Sequence, residues 1–461
     1  MVEIDVPHGD RRRMPAMDVP TVPLPRNPTV VVPMSRYGVL PDRRSAASPR
    51  PSRTTPRSRL AVALGRAVVG GCRRLGRAGA VLGGRVALAV DPQLLATLAA
   101  GRTVILVSGT NGKTTTTAMV AAAMGGAGDV ATNRTGANMP DGLVTALMDA
   151  PDSGQAVLEV DEGYLPRVVV GIRPATVVLL NLSRDQLDRV GEVATTARRI
   201  REALTASPGT TVVANAADPL VVSAVAGARE VIWVRPHRAW RRDASTCPDC
   251  GGPLECRSDP WSCPGCGITQ PVAAWTTDPG DTLTGPDGAS VPLDLALPGD
   301  MNRVNATFAT AAAVRHGLGV AVATARIASV DDVAGRYRTV PHPDGSARLL
   351  LAKNPAGWTE ILDLLDRTTG PVVVAVNARE ADGRDPSWLW DVELERLRGR
   401  DVVATGDRAA DLSVRLAYAE VPHRVIADPF DAVLTTGGDS HLVADYTAFV
   451  SVRDRLCRGG R

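Results

Sequence analysis

The stretch that decides the fold of this chain runs from Thr103 to Thr115 and reads TVILVSGTNGKTT. Its apolar first part, Thr103–Val107, predicts a buried strand, and the segment Thr114–Met124 predicts a helix directly after the glycines. Between a strand and a helix, backbone N–H groups and the helix N-terminus can face an anion. The stretch therefore predicts a phosphate-binding loop formed by Gly109, Thr110, Asn111, Gly112, Lys113, Thr114 and Thr115.

Two side chains of this loop suit a nucleotide polyphosphate. Lys113 can reach the outer phosphates, and the hydroxyl of Thr114 can bind Mg2+. The spacing differs from the common Walker pattern, which would place a glycine where Val107 stands. A chance glycine turn before a helix is the alternative interpretation, but the strand, the Lys-Thr pair and the helix together favour the phosphate site.

The sequence around the loop alternates between strands and helices. Helical segments over 142–149 and 193–206 separate predicted strands at Ala156–Val160, Ala175–Leu180 and Thr210–Ala214. The predicted helix Asn302–His316 precedes a second series, whose strands are Arg348–Ala352, Val372–Val376, Val402–Thr405 and His441–Ala444. Buried strands that alternate with helices indicate an α/β protein whose parallel sheets carry helices on both faces.

These patterns predict three regions. Residues 1–57 are rich in proline and arginine and are expected to form a disordered tail; residues 58–338 form the central ATP-binding domain; residues 339–461 form a smaller, Rossmann-like α/β domain. Between Leu60 and Ala99, glycines interrupt an arginine-containing apolar segment, so we expect two short helices and no long one. Packing against the protein is the favoured interpretation of this segment over a role at a membrane surface.

Composition excludes several classes of protein. Hydrophobic residues make up 44% of the 461 residues, which is ordinary for a globular protein, and the formal net charge is +3. This charge is too small to indicate nucleic acid by itself. No uninterrupted apolar run reaches the ~18–20 residues that span a bilayer, and the N-terminus is a poor signal peptide, so we expect a cytoplasmic protein.

Four of the seven cysteines form two closely spaced pairs, Cys247 with Cys250 and Cys263 with Cys266, and twelve residues separate the pairs. Proline and glycine beside each pair allow tight turns, and two such turns can supply four thiolates to one tetrahedral metal. Because four protein ligands leave no open position, the metal is expected to be a structural zinc in an insertion over 240–275. Unligated or redox-active cysteines are the alternative.

The phosphate loop resembles that of the Mur ligase superfamily, which includes folylpolyglutamate synthetases. Three later segments also fit it: Leu158–Gly163, Asn181–Arg189 and Gly299–Asn305. The resemblance implies that Glu159 binds Mg2+ and that Asn305 contacts the nucleotide. Gln186 stands where many of these ligases have histidine, and no separate UDP-binding domain fits before residue 101.

The cysteine insertion, together with the segments Leu351–Gly357 and Asp382–Asp391, is similar to the MurT family within that superfamily. The resemblance covers about residues 60–458. It implies a ligase that uses ATP to activate the α-carboxyl of D-glutamate in the stem peptide of lipid II as an acyl phosphate, followed by amidation to D-isoglutamine. Ammonia would come from a GatD-type glutaminase in a heterodimer, at the inner face of the membrane.

The same resemblance implies that Asp385 completes the catalytic Cys-His pair of the glutaminase partner. From its residues alone, Asp385 reads as an acid in an exposed turn. Two other functions remain open at this point. An amino-acid-adding ligase of the Mur or folylpolyglutamate type needs no glutaminase. A zinc-ribbon P-loop ATPase or scaffold would bind nucleic acid with steep salt dependence.

Overall fold

The computed structural model describes residues 55–75, 79–125, 129–133, 136–183, 193–237, 245–256, 260–331, 333 and 337–459. Almost all of the predicted tail lies outside these ranges, and so do Gln186 and the rest of residues 184–189. No helix within the described ranges is both long and apolar enough to cross a bilayer.

A nine-stranded sheet carries the phosphate loop. Its strands are β1 (Thr103–Ser108), β2 (Val130–Ala131), β3 (Gln155–Glu159), β4 (Thr176–Leu179), β5 (Thr211–Asn215), β6 (Glu230–Arg235), β7 (Trp275–Asp278), β8 (Thr282–Thr284) and β9 (Ser290–Pro292). Their spatial order is β2-β3-β1-β4-β5-β6-β7-β8-β9. The strands from β2 to β7 pair in parallel, while β7, β8 and β9 form an antiparallel edge.

Ten helices accompany this sheet in the described ranges: α1 (Pro56–Arg74), α2 (Ala80–Val90), α3 (Leu94–Ala99), α4 (Lys113–Met124), α5 (Pro140–Asp149), α6 (Leu165–Ile172), α7 (Val193–Thr205), α8 (Pro219–Val225), α9 (Asp300–Arg315) and α10 (Val320–Ala328). Alternate residues of β1 enter two different cores. Val104 and Leu106 pack with α5–α8, whereas Ile105 and Val107 pack with α4, α9 and α10. Helices therefore cover both faces of the sheet, as the sequence predicted.

The expectation of only short helices between Leu60 and Ala99 is wrong, because α1 has 19 residues. None of its glycines ends the helix, and Gly65 serves packing against α2. A Cβ atom on Gly83 of α2 would lie 2.8 Å from the carbonyl oxygen of Gly65 and 2.3 Å from Cγ2 of Val69. The absence of side chains at this crossing lets the two helices approach closely, so the glycines form a helix–helix seam.

A six-stranded sheet forms the second α/β unit. Its strands are β10 (Thr339–His342), β11 (Gly345–Leu351), β12 (Val372–Ala375), β13 (Val402–Thr405), β14 (His423–Val425) and β15 (Gly438–Ala444), in the order β10-β11-β15-β12-β13-β14. Only β10 pairs antiparallel with its neighbour in this sheet. The helices are α11 (Pro355–Leu365), α12 (Ala409–Tyr418), α13 (Pro429–Thr436) and α14 (Tyr446–Gly459), with 3-10 turns at Ser387–Asp391 and Leu394–Leu397. The predicted α/β class of this second unit is therefore confirmed.

Candidate functional site

The phosphate loop joins the carboxyl end of β1 to the N-terminus of α4. Gly112, the residue before the helix, has φ 84°, a left-handed conformation that favours glycine. A Cβ atom at this position would also lie 2.6 Å from Oδ1 of Asn305. The glycine therefore serves two purposes, since it permits the turn and brings the α9 amide against the loop.

Lys113 is buried at the first position of α4 and is held by an ion pair. Its Nζ donates to Oε2 of Glu162 at 2.9 Å and to the carbonyl oxygen of Gly109 at 2.5 Å. Burial alone would lower the pKa of Lys113, but the charges of Glu162 and Glu159 outweigh it, and the pKa is raised. Burial likewise opposes the charge on Glu162, yet Lys113 lowers its pKa overall. Both groups are therefore charged, and the cation stays fixed inside the loop.

The acidic residues after β3 lie opposite the loop. Glu159 is only 3% exposed; its Oε1 accepts from Nδ2 of Asn138 at 3.1 Å, whereas its Oε2 has no hydrogen-bond partner among the described atoms. Thr114, Glu159 and Asp161 line the same cleft. Burial, followed by the charge of Glu162, raises the pKa of Asp161. A buried carboxylate oxygen without a described partner and a threonine that lines the same cleft are oxygen ligands of the kind that a hard divalent cation prefers.

Asn181, after β4, fixes the outer part of the phosphate loop. Its Oδ1 accepts from the backbone N–H of Asn111 at 2.8 Å, and its Nδ2 donates to the carbonyl oxygen of Asn111 at 3.1 Å. Oγ1 of Thr110 likewise accepts a hydrogen bond from the backbone N–H of Ser183 at 2.9 Å. Asn181 and Ser183, at the start of the predicted Asn181–Arg189 segment, therefore support the loop.

Two spaces with shared lining residues adjoin the loop. A smaller pocket is lined by residues that include Asn111, Asn181, Asn215, His237, Asn305 and Phe308. A wider cleft lies between the phosphate loop and the second α/β unit, which contributes Lys353, Glu380 and Tyr446. Asn305 borders both spaces, as expected for a residue that contacts a nucleotide. Apart from Gly109, whose carbonyl accepts from Lys113, every predicted ATP- and Mg2+-site residue lines the wider cleft.

The four predicted metal-ligand cysteines come together. Sγ of Cys247 lies 3.6 Å from Sγ of Cys266, Sγ of Cys250 lies 3.5 Å from Sγ of Cys263, and all four sulfurs lie within 4.8 Å of one another. These separations are far longer than the ~2.05 Å of a disulfide and suit four thiolates around one ion. The four residues are therefore compatible with a metal site.

The cysteine segment packs on the central domain beside the smaller pocket. Trp261 is fully buried, and its Nε1 donates to the carbonyl oxygen of Ala216 at 3.2 Å. Oδ1 of Asp249 accepts from Oγ of Ser223 at 2.8 Å and pairs with Arg201. Ala216 lies between Asn215 and Asp218, which both line the pocket, so the insertion directly contacts a pocket wall. Sequence analysis did not anticipate this contact.

Asp385 lies elsewhere, on the exposed loop that follows β12. Its carboxylate accepts from the N–H and Oγ of Ser387, both at 2.9 Å, and is otherwise open to solvent. The base of this loop is held by Asp382, which is buried and accepts from the N–H and Oγ1 of Thr447 at 2.7 and 2.6 Å. Glu380 and Ala381 line the cleft, but Asp385 does not belong to the described lining. Asp385 therefore lies outside the lining of the cleft, on a loop whose first residues reach it.

One functional contact was missed from the sequence. Glu162 was read as part of an acidic strand end, with Glu159 as its functional member, yet Glu162 is the residue that pairs with Lys113. The run of three acids in the four residues Glu159–Glu162 was the available signal. It does not reveal which carboxylate faces the lysine, because that depends on the turn after β3.

Solved structures with the same fold are Mur-type ligases. A pseudomurein peptide ligase type C from Methanothermus fervidus superposes with a TM-score of 0.60 and 19% identity over 78% of this chain and 79% of that chain. MurF from Acinetobacter baumannii superposes with a TM-score of 0.59 and 16% identity over 81% and 80%, respectively. At these identities the likeness shows the fold, an α/β Mur ligase architecture, and confirms the predicted class.

Sequence comparisons narrow the family. The Mur ligase middle domain matches residues 107–235, and the MurT ligase C-terminal domain matches residues 351–449. The lipid II isoglutaminyl synthase (glutamine-hydrolyzing) subunit MurT of Streptococcus pneumoniae is 31% identical over 83% of this chain and 93% of its own length. The subunit of the same name from Staphylococcus aureus strain COL is 29% identical over 84% and 94%. The chain belongs to the MurT family of Mur-type ligases.

Proposed function

We propose that this chain is the ATP-dependent ligase subunit of a lipid II amidating enzyme. It activates the α-carboxyl of D-glutamate in the lipid II stem peptide as an acyl phosphate, which ammonia converts to D-isoglutamine. Similarity to MurT subunits over nearly their whole length supports the substrate and the reaction. The assembly of loop, acids and pocket around one cleft supports the chemistry.

ATP binds with its base in the smaller pocket and its phosphates on the loop. In this arrangement the N-terminus of α4 and the N–H groups of Gly109–Thr115 face the phosphate oxygens. Asn305, which touches both spaces, positions the nucleotide between them. Lys113 already carries a fixed positive charge there and stabilises the negative charge that grows on the transferred phosphoryl group.

Mg2+ is held by the hydroxyl of Thr114 and the carboxylate of Glu159. The buried Oε2 of Glu159, without a protein partner, is the single observation that carries this assignment. A bound Mg2+ would supply charge neutralisation between neighbouring phosphates. The chain's own contribution is to hold these two ligands on rigid elements, the start of α4 and the end of β3, in a cleft that both α/β units close.

The identity of the metal at the cysteines is also part of the proposal. Cys247, Cys250, Cys263 and Cys266 bind one structural Zn2+, because four thiolates form a closed tetrahedral site. The zinc stabilises the insertion that packs Trp261 against the pocket wall. It takes no part in the reaction, since no ligand position remains for substrate.

Ammonia is supplied by a GatD-type glutaminase, with which the chain forms a heterodimer. The word "subunit" and the term "glutamine-hydrolyzing" in the names of the relatives support such a partner. Asp385 is exposed on a braced loop and outside the lining of the cleft, so its carboxylate is accessible to a neighbouring protein. We propose that it orients the partner's catalytic imidazole. The complex works in the cytoplasm at the inner face of the membrane, where its lipid-linked substrate lies.

The test is amidation of lipid II by the chain together with its glutaminase, followed by mass spectrometry of the product. Thr114→Val is isosteric and removes one Mg2+ ligand, so turnover should fall by at least ~10^2-fold. Thr116→Val is the matched control, because its hydroxyl is buried in the same helix with no hydrogen-bond partner described. Equal activity of the two variants would refute the assignment of the loop. A wild-type enzyme that amidates no lipid II substrate would refute the proposed function.

A further inference from the structure

Helix α1 has two different faces. The inner face carries Ser58, Ala61, Gly65 and Val69, which are buried against the central domain. At 100° per residue the opposite face carries Arg59, Leu60, Ala63, Leu64, Ala67, Gly70, Gly71 and Arg74, and Leu75 directly follows the helix. Leu60 is 55% exposed, Leu64 41% and Leu75 77%. An ordinary surface helix has mostly polar residues on its solvent side, whereas this helix places leucines and alanines there between arginines.

Helix α2 adds further exposed apolar residues beside α1. It packs against α1 through the glycine seam, and its first turn exposes Val81 (43%) and Leu82 (49%). Of the fourteen large hydrophobic residues that are exposed in the described part of the chain, five fall between Leu60 and Leu82. Because these five lie on or next to two helices that pack together, they differ from isolated exposed residues, which need no explanation. We call the surface formed by Leu60, Leu64, Leu75, Leu82 and Arg74 the docking face.

The charged residues of the two helices themselves all have one sign. Residues 56–90 contain seven arginines and no aspartate or glutamate. Arg73 and Arg85 pair with acids of α5, whereas Arg59 and Arg74 are exposed on α1 beside the leucines. Arginine can lay its apolar stem along a hydrocarbon surface while its guanidinium contacts phosphate. A helix pair with an apolar face, basic flanks and no acid has the composition of an element that lies in a membrane interface.

The docking face also adjoins the reaction site. Val81, on the first turn of α2, lines the same cleft as Lys113, Thr114 and Glu159. A surface that held α2 against a bilayer would therefore hold the mouth of this cleft at the level of the lipid headgroups. This geometry suits a substrate whose reacting group is tethered to a membrane lipid. In this respect the inference rests on the proposed function.

We propose that the docking face binds the surface of an anionic phospholipid bilayer, with α1 and α2 lying in the plane of the interface. The leucines enter the boundary between headgroups and acyl chains, and Arg59 and Arg74 contact lipid phosphates. Each arginine near an anionic surface contributes about fivefold to partitioning, so affinity should depend on anionic lipid and fall with salt.

The test uses the intact heterodimer and flotation with vesicles of phosphatidylcholine, with and without phosphatidylglycerol. The variant Leu60→Ser/Leu64→Ser/Leu82→Ser changes only exposed residues, and a melting curve verifies its folding. Its bound fraction on anionic vesicles should fall by at least about tenfold. The control Val170→Ser/Val322→Ser alters comparably exposed apolar residues elsewhere and should bind like wild type. Equal binding of all three proteins would overturn the proposal.

A charge-reversal pair tests the basic flank. Arg59→Glu/Arg74→Glu should weaken binding to anionic vesicles by about tenfold or more and leave weak binding to neutral vesicles unchanged. Arg167→Glu/Arg229→Glu makes the same charge change at exposed positions outside the docking face and should have a much smaller effect. Equal loss in both pairs would show that only net charge matters and would overturn the assignment to α1.

Activity separates this proposal from the proposed function. The leucine variant should amidate a water-soluble lipid II analogue at the wild-type rate and vesicle-embedded lipid II at least about tenfold more slowly. Loss on both substrates, or dissociation of the glutaminase in light scattering, would mean that the face packs against protein, which would overturn the membrane assignment. Failure of the wild type to amidate either substrate would instead refute the proposed function. The flotation experiment would still test whether the docking face binds membranes.

Discussion

Asn111 and Asn354 exchange two side-chain hydrogen bonds, one in each direction, at 3.2 and 3.1 Å. Asn111 belongs to the phosphate loop, and Asn354 is the residue before α11 in the second α/β unit. Oδ1 of Asn354 also accepts from the N–H of Gly357 at 2.8 Å and so caps the helix. A single amide therefore starts a helix of one unit and holds the nucleotide loop of the other.

This relationship predicts different effects for two substitutions. Asn354→Ser keeps a capping hydroxyl but loses the amide pair, so the KM for ATP should rise by up to about tenfold while stability changes little. Asn354→Ala also loses the cap and should destabilise the protein by a further ~1 kcal/mol. Steady-state kinetics and urea denaturation of both variants measure the two effects. An unchanged KM in both would show that the amide pair does not support the loop.

The buried pair of Lys113 and Glu162 predicts a stability effect that is separate from catalysis. Lys113→Met leaves the Glu162 carboxylate buried without its cation, which should cost roughly 3–5 kcal/mol of unfolding free energy without nucleotide. Adding Glu162→Gln should recover much of that loss without restoring turnover. Urea denaturation of the single and double variants measures the coupling. Additive losses would indicate that the pair is not coupled.

The cysteine cluster predicts about one tightly held zinc per chain. Cys250→Ser/Cys266→Ser should lose the metal and lower the melting temperature, because the insertion loses its only internal cross-link in the described residues. Cys457→Ser, an exposed cysteine outside the cluster, is the control and should retain both. Metal analysis of freshly purified protein decides, and a wild type without zinc would contradict the assignment.

If Asp385 serves the glutaminase partner, its substitution should affect amidation from glutamine but not amidation from free ammonium. In Asp385→Asn the heterodimer should form, glutamine-dependent amidation should fall by up to about 10^4-fold, and amidation with free ammonium should persist. Asp391→Asn, also an exposed acid of this loop region, serves as control. Running both nitrogen sources on each complex gives the answer. Equal loss with both would place Asp385 in folding or in the ligase site.

His316 predicts a pH effect on stability. Burial and the charge of Arg315 lower the pKa of His316 from 6.5 to about 4, and its Nε2 lies 2.9 Å from Oγ1 of Thr176. Between pH 6.5 and pH 4 the imidazole binds a proton in the unfolded chain but not in the folded protein. The folded state therefore has its full stability above pH 6.5. As pH falls toward 4, the free energy of unfolding decreases by about 3 kcal/mol at most. His316→Gln should show a weaker loss in denaturation at pH 7.5 and 5. Parallel curves for both proteins would contradict this.

Sequence reasoning succeeded where local pattern and buried position agree. The strands β1, β3, β4, β5, β12 and β13 lie within one or two residues of their predicted bounds, because each is a continuous apolar run in a sheet covered on both faces. The short strands β2, β8, β9 and β14 were missed, since two or three residues leave no periodicity to detect. The longer strands β6, β7 and β10 were not predicted either. The length of α1 was misjudged because the partner that makes Gly65 useful, Gly83, is distant in sequence.

The site followed the same rule. Residues of the phosphate loop and the four cysteines carry their chemistry in their spacing, so their clustering could be predicted. The pairing of Lys113 with Glu162 and the hydrogen bond from Trp261 to Ala216 could not, because each joins segments at least 45 residues apart through turns whose geometry sequence does not specify.

The hydrogen bond of the Trp261 indole links the metal site at the cysteines to the pocket beside the phosphate loop. It fastens the cysteine insertion to the carbonyl of Ala216, and Asp218 two residues later caps α8 and accepts from the N–H of Leu182 beside the phosphate loop. Occupancy of the cysteines and occupancy of the pocket thus share one stretch of backbone. By thermodynamic linkage, if bound metal raises the affinity for ATP by some factor, bound ATP raises the affinity for the metal by the same factor.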